Sequence, residues 1–172
     1  MMPLSHWARK LHSLIVCANL MHDMLTGRST TGILHLLNKT PVHWFSKKQS
    51  TAETATHGSE FLAARTCVEQ IVDLQMTLRC LGGPVDSKSH MFGDNESVIN
   101  SSTQPHGKIH KRHNMLSFHH MCEMISRGFI LFTHIPGVEN PADILSKHWA
   151  HSDIWLTLNA LLLWQGGTMD IA

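Results

Sequence analysis

Three acidic residues stand where a metal site could be built. Asp94 follows a predicted strand in the segment FGDNESV, Glu60 lies within a predicted helix in GSEFLAA, and Asp143 lies in the first turn of a later helix in NPADILSK. Carboxylates that converge on one pocket repel each other, and magnesium ions relieve that repulsion. Two such ions about 3.5 to 4 Å apart can hold both sides of a phosphodiester during hydrolysis. The three acids are therefore candidates for phosphodiester chemistry.

Each of these acids also has an ordinary structural interpretation. Asp143 in a first turn is a favourable partner of the helix dipole. Glu60 could lie on a solvated helix face, and Asp94 with Asn95 could cap the helix that follows. For any one of them alone, the structural interpretation is the more common. Their order along this particular series of elements is what favours a shared site.

The elements that would position these acids begin with three short strands. Residues 13 to 18, 33 to 37 and 42 to 45 are apolar runs separated by turn residues, which predicts an antiparallel meander. Ser50, with Glu53 three residues later, is a capping-box signal for the start of a long helix. Apolar residues then keep helical spacing at positions 61, 64, 68, 71 and 78.

Strands and helices alternate in the second half of the sequence. A strand at 90 to 93 leads into Asp94 and a short helix, 103 to 113 is a polar loop, and 129 to 135 is another buried strand. A helix between the loop and this strand carries an apolar stripe at Met115, Phe118, Cys122 and Ile125. This mixed order predicts an α/β sheet covered by helices on both faces.

Composition and charge exclude several classes of protein. The formal net charge of +1 provides no global field for a nucleic acid, so such binding needs a local patch, although protonation of all 15 histidines would bring the charge to about +16, the sum of 1 and 15. No apolar run is long enough to span a membrane. Four widely spaced cysteines without a Cys-x-x-Cys pair favour reduced thiols inside a cell, cytoplasmic or nuclear, rather than a secreted protein.

Five segments resemble one known family. They are TGRSTTG (26 to 32), PVHWFSKKQST (41 to 51), SEFLAA (59 to 64), GDNESVI (93 to 99) and NPADILSK (140 to 147). Their sequences, order and spacing resemble those of the ribonuclease H domain at the end of the polyprotein of copia-type LTR retrotransposons. The resemblance covers residues 14 to about 149. The WFSKKQS and PADILSK segments are its most specific parts.

The resemblance implies a fold and an activity. The fold is a ribonuclease H-like mixed five-stranded sheet, with the first three strands antiparallel and helices on both faces. The activity is two-metal hydrolysis, with Mg²⁺, of the RNA strand in an RNA/DNA hybrid. The family's acids map onto Glu60, Asp94 and Asp143 as catalytic residues and metal ligands, and the parent polyprotein would supply a reverse transcriptase domain as a partner.

The sequence departs from the family at Cys17, in the segment LIVCANLMHD. The family places an aspartate there, at the end of the first strand. A thiol with an ordinary pKa near 8.5 is mostly protonated at neutral pH and is a poor ligand for magnesium. Asp23 would lie roughly 20 Å further along a continuous strand, since each residue advances about 3.3 Å. We therefore expect an impaired or inactive nuclease, and Cys17 is most simply a small buried residue.

Binding of a hybrid could survive the loss of cleavage. Arg28, Lys47 and Lys48 lie near the predicted turns of the meander, and a basic cluster lies in the later loop, where they could contact phosphates and 2′-hydroxyls. The loop residues are Lys108, His110, Lys111, Arg112 and His113. Ordinary solvated lysines are an equally simple interpretation. We expect weak, strongly salt-dependent binding.

The sequence leaves two other functions open. The chain could be a non-catalytic nucleic-acid-binding or tethering module, or a decayed fragment of a polyprotein. A zinc site in the histidine-rich segment 110 to 122 is less favoured, because its spacing matches no usual zinc motif. We predict an N-terminal extension (1 to 12), a ribonuclease H-like domain (13 to 150) and a C-terminal tail helix (151 to 172).

Overall fold

The computed structural model describes residues 14–23, 28–37, 40–52, 56–82, 88–104, 115–147, 150 and 155, and of residues 14–23, 51, 52, 56 and 57 only the backbone. Within these ranges the strands are β1 (Leu14–Asp23), β2 (Arg28–Leu37), β3 (Thr40–Ala52), β4 (Ser89–Gly93) and β5 (Ile130–His134). The helices are α1 (Thr56–Cys80), α2 (Glu96–Thr103), α3 (Met115–Ser126) and α4 (Asp143–Ser146), with a 3₁₀ helix at Gly137–Glu139.

The strands pair in the order β3-β2-β1-β4-β5. The pairs β1 with β2 and β2 with β3 are antiparallel, whereas β4 pairs parallel to both β1 and β5. The central strand β1 therefore joins an antiparallel half of the sheet to a parallel half. Since the carboxyl ends of β1, β4 and β5 point the same way, residues that follow β4 and β5 gather at one end of the sheet.

Two apolar clusters lie on opposite faces of the sheet. Successive residues of a strand point to opposite faces, and Ile33 and Met91 belong to one cluster whereas the adjacent Leu34 and Phe92 belong to the other. The first cluster packs against α1, α2 and α3, and the second includes Ala142 beside α4. Helices therefore cover both faces, and this pleated alternation fixes which residues face which helix.

The apolar periodicity of the two longer helices largely matches their burial. In α1, Phe61, Val68 and Ile71 are buried in the first cluster. In α3, Phe118 is buried, but Met115 is 41% exposed, so the predicted stripe is wrong at its first position. The buried face of α3 instead includes Met121 and Met124, with Cys122 and Ile125 partly buried beside them.

The meander extends further along the chain than its apolar runs suggest. The strand β3 continues to Ala52, so Ser50 lies in a strand and the predicted capping box is wrong; α1 begins at Thr56. Arg28 begins β2 rather than lying in a turn, and Lys47 and Lys48 lie within β3 rather than after it. Pairing with the neighbouring strand extends these segments, because the backbone hydrogen bonds of a sheet form with polar and apolar residues alike.

Gly32 sets how closely α4 approaches the sheet. A Cβ atom added at Gly32 would lie 2.8 Å from the carbonyl oxygen of Ala142 and 2.9 Å from Cβ of Leu145. The Ser46 hydroxyl on the neighbouring strand donates a hydrogen bond of 2.6 Å to the carbonyl of Leu145. The glycine of the TGRSTTG segment therefore provides the space that seats α4, and with it Asp143, against β2.

The C-terminal segment lies almost entirely outside the described residues. Of the predicted tail helix only Trp155 is described, so that prediction, like the predicted N-terminal extension, stays untested. Among the described helices, none combines the length and the apolar character required to cross a membrane.

Replacing Gly32 by Ala should destabilise the fold. The added methyl group would overlap the backbone of α4, and overpacking of this kind costs about 1 to 3 kcal/mol. Urea unfolding measures the loss. Gly137→Ala is the matched control, because its added Cβ would meet Asp94 at 3.7 Å, an ordinary van der Waals contact. An equal loss of free energy in both variants would contradict the close seating of α4.

Candidate active site

Asp94 lies directly after β4, at the end of the sheet where β5 also ends. The amide of Ile135 donates a hydrogen bond of 2.9 Å to the Gly93 carbonyl, and Nε2 of His134 lies 3.2 Å from the Asp94 carbonyl oxygen. Asn95 then caps α2, where its side-chain oxygen accepts a hydrogen bond of 3.2 Å from the amide of Val98. The position of Asp94 is therefore fixed on both sides, by β5 and by the start of α2.

Glu60 projects from the second turn of α1 towards Asp94 and Asn95. Burial raises the pKa of Glu60 to about 7, the Asp94 charge adds to this rise, and a hydrogen bond with the Asn95 side chain opposes it. Since the Asn95 oxygen already accepts from α2, its amide nitrogen is the donor to Glu60. Asn95 thus links the start of α2 to the Glu60 carboxylate on α1. A local capping signal in the sequence predicts the first of these contacts but not the second.

Asp143 is buried at the start of α4 and forms an ion pair with Lys147. Nζ of Lys147 lies 2.6 Å from Oδ1 and 2.7 Å from Oδ2 of Asp143. Asn140 supports this turn, because its side-chain oxygen accepts a hydrogen bond of 3.1 Å from the amide of Ala142. A buried carboxylate needs a partner, and Lys147, one helical turn later, provides the positive charge.

The structure brings together the three acids that the sequence singled out. Burial raises the pKa of Asp94, and the charge of Asp143 raises it further, whereas Lys147 and His134 lower it. Glu60 in turn is affected by the charge of Asp94. Asp94 therefore lies within electrostatic reach of both other acids. Glu60 is half-buried and faces Asp94 and Asn95, so it does not lie on a fully solvated helix face.

The three carboxylates suit a hard divalent cation by their chemistry. Oxygen ligands are those that magnesium prefers. A cation would stabilise the charged forms of Glu60 and Asp94, which burial and, to a smaller extent, the neighbouring carboxylates disfavour. Within the described ranges, however, no group of three His, Cys, Asp or Glu side chains is arranged to hold a metal ion. Asp143 is engaged by Lys147, so it must exchange that partner before it can join a shared metal site.

Cys17 lies on the central strand, beside the end of β4. It pairs with Phe92 in the parallel ladder and with Leu34 in the antiparallel one. Phe92 precedes Asp94 by two residues, so position 17 belongs to the same end of the sheet as the acids. The strand β1 continues without interruption to Asp23, which leaves no bend at Ala18 and Asn19 that could bring Asp23 back.

Three of the predicted nucleic-acid-binding residues lie at this end of the sheet. Lys47 and Lys48 pair with Thr31 and Thr30 of β2, which pair in turn with β1 positions beyond Cys17. Arg28 lies at the start of β2, and all three cations are exposed. The other predicted residues, Lys108, His110, Lys111, Arg112 and His113, lie outside the described residues.

The histidine-rich segment 110 to 122 gains no support as a zinc site. His110 and His113 are outside the described residues, and Phe118, Met121 and Met124 of α3 are buried in the apolar core. Burial raises the pKa of the Cys122 thiol, which disfavours the thiolate that zinc requires.

Three residues around the acids are not among the predicted site residues. Lys147 lies four residues after Asp143 on a helix, a spacing that predicts an ion pair. The sequence indicates Asn95 only as a helix cap. His134 has no local signal, because its contact with Asp94 depends on the pairing of β4 with β5.

Comparison by sequence relates the chain to a retrotransposon protein. It is 27% identical over 131 residues to the retrovirus-related Pol polyprotein from transposon TNT 1-94 of Nicotiana tabacum. The match covers 76% of this chain and 10% of that polyprotein, so the chain spans about a tenth of its relative's length. No protein-family model matches the sequence.

Comparison by structure relates the chain to ribonuclease H domains. The N-terminal RNase H domain of rv2228c from Mycobacterium tuberculosis has a TM-score of 0.62 at 12% identity, with coverage of 87% of this chain and 98% of that one. LC11-RNase H1 in complex with an RNA/DNA hybrid has a TM-score of 0.60 at 20% identity, with 78% and 94% covered.

A viral polymerase protein is also similar in structure. The foamy viral protease-reverse transcriptase in complex with an RNA/DNA hybrid has a TM-score of 0.55 at 14% identity, with 85% of this chain and 20% of that one covered. These likenesses show a ribonuclease H-like α/β fold. Together with the retrotransposon relative, they confirm the resemblance to a ribonuclease H domain from a retrotransposon polyprotein.

Replacing Glu60 by Gln should change how stability depends on pH. The folded chain raises the pKa of Glu60 from 4.5 to about 7, so between these values the folded state holds a proton that the unfolded state has lost. Stability from this group is therefore present below about pH 4.5 and is lost as the pH rises through about 7. Over that window we expect the natural chain to lose roughly 1 to 3 kcal/mol more than Glu60→Gln, since a tenfold change in acidity corresponds to about 1.4 kcal/mol.

Urea unfolding of both proteins at about pH 5 and about pH 8 measures this difference. Comparing the two proteins removes the pH dependence that the histidines contribute to both. Equal changes in the free energy of unfolding would show that Glu60 is not the buried, proton-holding carboxylate described above.

Proposed function

We propose that this chain, a ribonuclease H-like domain related to retrotransposon Pol polyproteins, binds RNA/DNA hybrids and is impaired in hydrolysing their RNA strand. The observation on which the proposal rests is the electrostatic coupling of Glu60, Asp94 and Asp143 at one end of the sheet. Neighbouring acids with a raised pKa, as burial and nearby charge produce for Glu60 and Asp94, are typical of functional sites. The strand pairing β3-β2-β1-β4-β5 supports the mixed five-stranded sheet on which this assignment depends.

Glu60, Asp94 and Asp143 are the residues we assign as metal ligands and catalytic carboxylates. Bound magnesium would supply charge neutralisation and an activated water for phosphodiester hydrolysis. The chain's own contribution is to position the acids: Asn95 orients Glu60, β5 and α2 fix Asp94, and the turn at Asn140 fixes Asp143. His134, whose ring contacts the backbone of Asp94, is a candidate for proton transfer, because imidazole is the side chain most often used for it.

Cys17 is the residue to which we attribute the impairment. The resemblance places an aspartate at this position, and the register of Cys17 with Phe92 supports its proximity to Asp94. A neutral thiol supplies neither the charge nor the oxygen that magnesium prefers. Even supporting partners of metal ligands contribute about 10 to 100 fold to affinity or activity, so losing a direct anionic ligand should cost at least as much.

A non-catalytic binding module is the second candidate, and the ion pair of Lys147 with Asp143 favours it. With Cys17 in place of an acid, the three remaining carboxylates carry at most three negative charges, and Lys147 offsets one of them. Less positive charge from magnesium is then needed to offset the repulsion among the carboxylates. A hybrid could therefore be held in the absence of the metal, and the chain would act as a tether rather than as a nuclease.

The exposed side of β3 is the surface we assign to the nucleic acid. Lys47 and Lys48 provide positive charge on this strand, and Trp44 is 66% exposed. Residues an even number apart on a strand share a face, so Trp44 and Lys48 point the same way. An exposed aromatic ring on the same face as a cation offers stacking as well as phosphate contact. Arg28 extends the basic surface along β2.

The cellular setting follows from the same assignment. A domain of this kind would act inside the cell, in the cytoplasm or the nucleus, next to the reverse transcriptase domain of a parent polyprotein. That partner would supply part of the hybrid-binding surface and compensate for weak binding by the isolated domain. The domain itself would extend from residue 13 to about residue 150.

Removing the two β3 cations should weaken hybrid binding and its dependence on salt. In Lys47→Ala/Lys48→Ala, each lost phosphate contact should reduce the slope of log affinity against log salt by about 0.7 to 0.9. Fluorescence anisotropy with a labelled RNA/DNA hybrid in excess chelator measures both quantities. Binding by the natural chain should persist under chelation, because phosphate contacts do not require the metal.

The matched control removes the same charge from the far end of the sheet. Arg79→Ala/Lys88→Ala changes an exposed residue in the last turn of α1 and one just before β4. We expect its affinity and salt slope to stay close to those of the natural chain. Equal losses in both double variants would mean that only the net charge matters, and an absence of any hybrid binding by the natural chain would contradict the proposed function.

A further inference from the structure

Two histidine rings contact each other between the strands β2 and β3. His35 of β2 pairs directly with His43 of β3, and their Nδ1 atoms lie 3.2 Å apart. The ring centroids are 5.0 Å apart and the ring planes are inclined by 62°, so the rings meet edge to face. A hydrogen bond between the two Nδ1 atoms requires one of them to carry a proton and the other to accept it.

His35 is the ring that has a reason to carry this proton. It is fully buried, and its Nε2 atom has no hydrogen-bond partner in the described part of the chain. A neutral imidazole carries its proton on one of its two nitrogens, so a proton on Nε2 of His35 would be a buried donor without an acceptor, whereas a proton on Nδ1 has His43 to receive it. The exposed His43 can keep its own proton on Nε2, in contact with water.

We propose that Nδ1–H of His35 donates to Nδ1 of His43, and that this bond is a clasp on the edge strand β3 which opens in acid. Protonation of His43 adds a proton to its Nδ1, so that two donors face each other. His35 cannot move its proton to Nε2, where no acceptor lies among the described residues. The exposed ring of His43 must therefore turn away into water. The inference does not depend on the proposed nuclease or binding function.

The clasp lies where the backbone pairing of β2 with β3 is interrupted. The register shifts between His35 and Leu36, so that Leu36 pairs with Pro41 and Val42 is the extra residue. An extra residue disrupts the ladder locally, and Pro41 has no N–H group to donate. The side-chain bond from His35 to His43 therefore holds this end of β3 where backbone hydrogen bonds are fewest.

The burial of His35 fixes the direction of the pH dependence. Burial, and then the His43 charge, lowers the pKa of His35 from 6.5 to about 4, and a hydrogen bond with the backbone of His43 opposes this. Between these values the unfolded chain binds a proton at His35 that the folded chain does not. Stability from this group is therefore present above about pH 6.5 and is lost as the pH falls through about 4.

Other charged groups around the pair are remote or exposed. The charge of His43 is the only one that affects the pKa of His35. On β1, the residue opposite His35 is Val16, and α4 packs on the other face of the sheet. The remaining titratable groups on the face of the pair are the buried Cys67 thiol, Lys47 on β3 and the exposed α1 residues Glu69, Asp73 and Arg79.

Nitrogen-15 NMR of the full chain tests the proposal directly. At about pH 8, above the range in which histidines usually titrate, we expect the proton of His35 on Nδ1 and that of His43 on Nε2. A scalar coupling between the two Nδ1 nuclei should cross the hydrogen bond and vanish once His43 is protonated. The spectrum of His43→Asn assigns the two rings. A proton on Nε2 of His35, or no coupling in the folded chain, would overturn the proposal.

Urea unfolding measures what the clasp contributes. At about pH 8 the ratio of folded to unfolded chain should be about two- to tenfold lower in His43→Asn, whose shorter side chain cannot reach His35, since one hydrogen bond contributes about that much. At about pH 5, the acid end of the usual range for histidine, this difference should shrink because the natural clasp is open.

The matched control for the unfolding measurement is His119→Asn. His119 is also exposed but lies on α3, where its ring contacts Phe118 rather than a second histidine. Any effect of this substitution should therefore not shrink in acid as that of His43→Asn does. Equal stability of the natural chain and His43→Asn at the higher pH, or a difference that persists unchanged at the lower one, would contradict an acid-opened clasp.

Discussion

The removal of three neighbouring carboxylates from water is the constraint around which the end of this sheet is arranged. Glu60, Asp94 and Asp143 come from α1, β4 and α4, and burial raises the pKa values of the first two. The chain offsets this cost with Asn95, which donates to Glu60, and with Lys147, which neutralises Asp143. This arrangement of acids, in a ribonuclease H-like fold, is the basis of the metal site that we propose.

Cys17 changes the balance of that site without changing its scaffold. The central strand pairs in register with Phe92 and Leu34 at this position, so the impairment we propose concerns the metal ligands and not the sheet. Losing one acid lowers the mutual repulsion, and Lys147 lowers it again. If the proposed function holds, the change that removes a magnesium ligand also lowers the repulsion among the remaining acids, which is why we propose that hybrid binding outlasts cleavage.

The sequence alone predicts the order of elements and the identity of the acids, because apolar periodicity and the motif residues are local signals. It does not predict the length of the strands: Ser50 looks like a helix cap but lies in β3, where the ladder with β2 overrides a local preference. The sequence also does not predict contacts that depend on strand register. The approach of His43 to His35 and of His134 to Asp94 depends on which strands pair and where a bulge falls.

The most direct measurement is cleavage of an end-labelled RNA/DNA hybrid with magnesium by three forms of the full chain: the natural chain, Cys17→Asp and Cys17→Asp/Asp94→Asn. The natural chain should be nearly silent, and Cys17→Asp should cut, because the added carboxylate restores an anionic oxygen ligand. The double variant should again be silent, which excludes a contaminating nuclease. Cleavage by the natural chain at a rate comparable to that of Cys17→Asp would contradict the central claim.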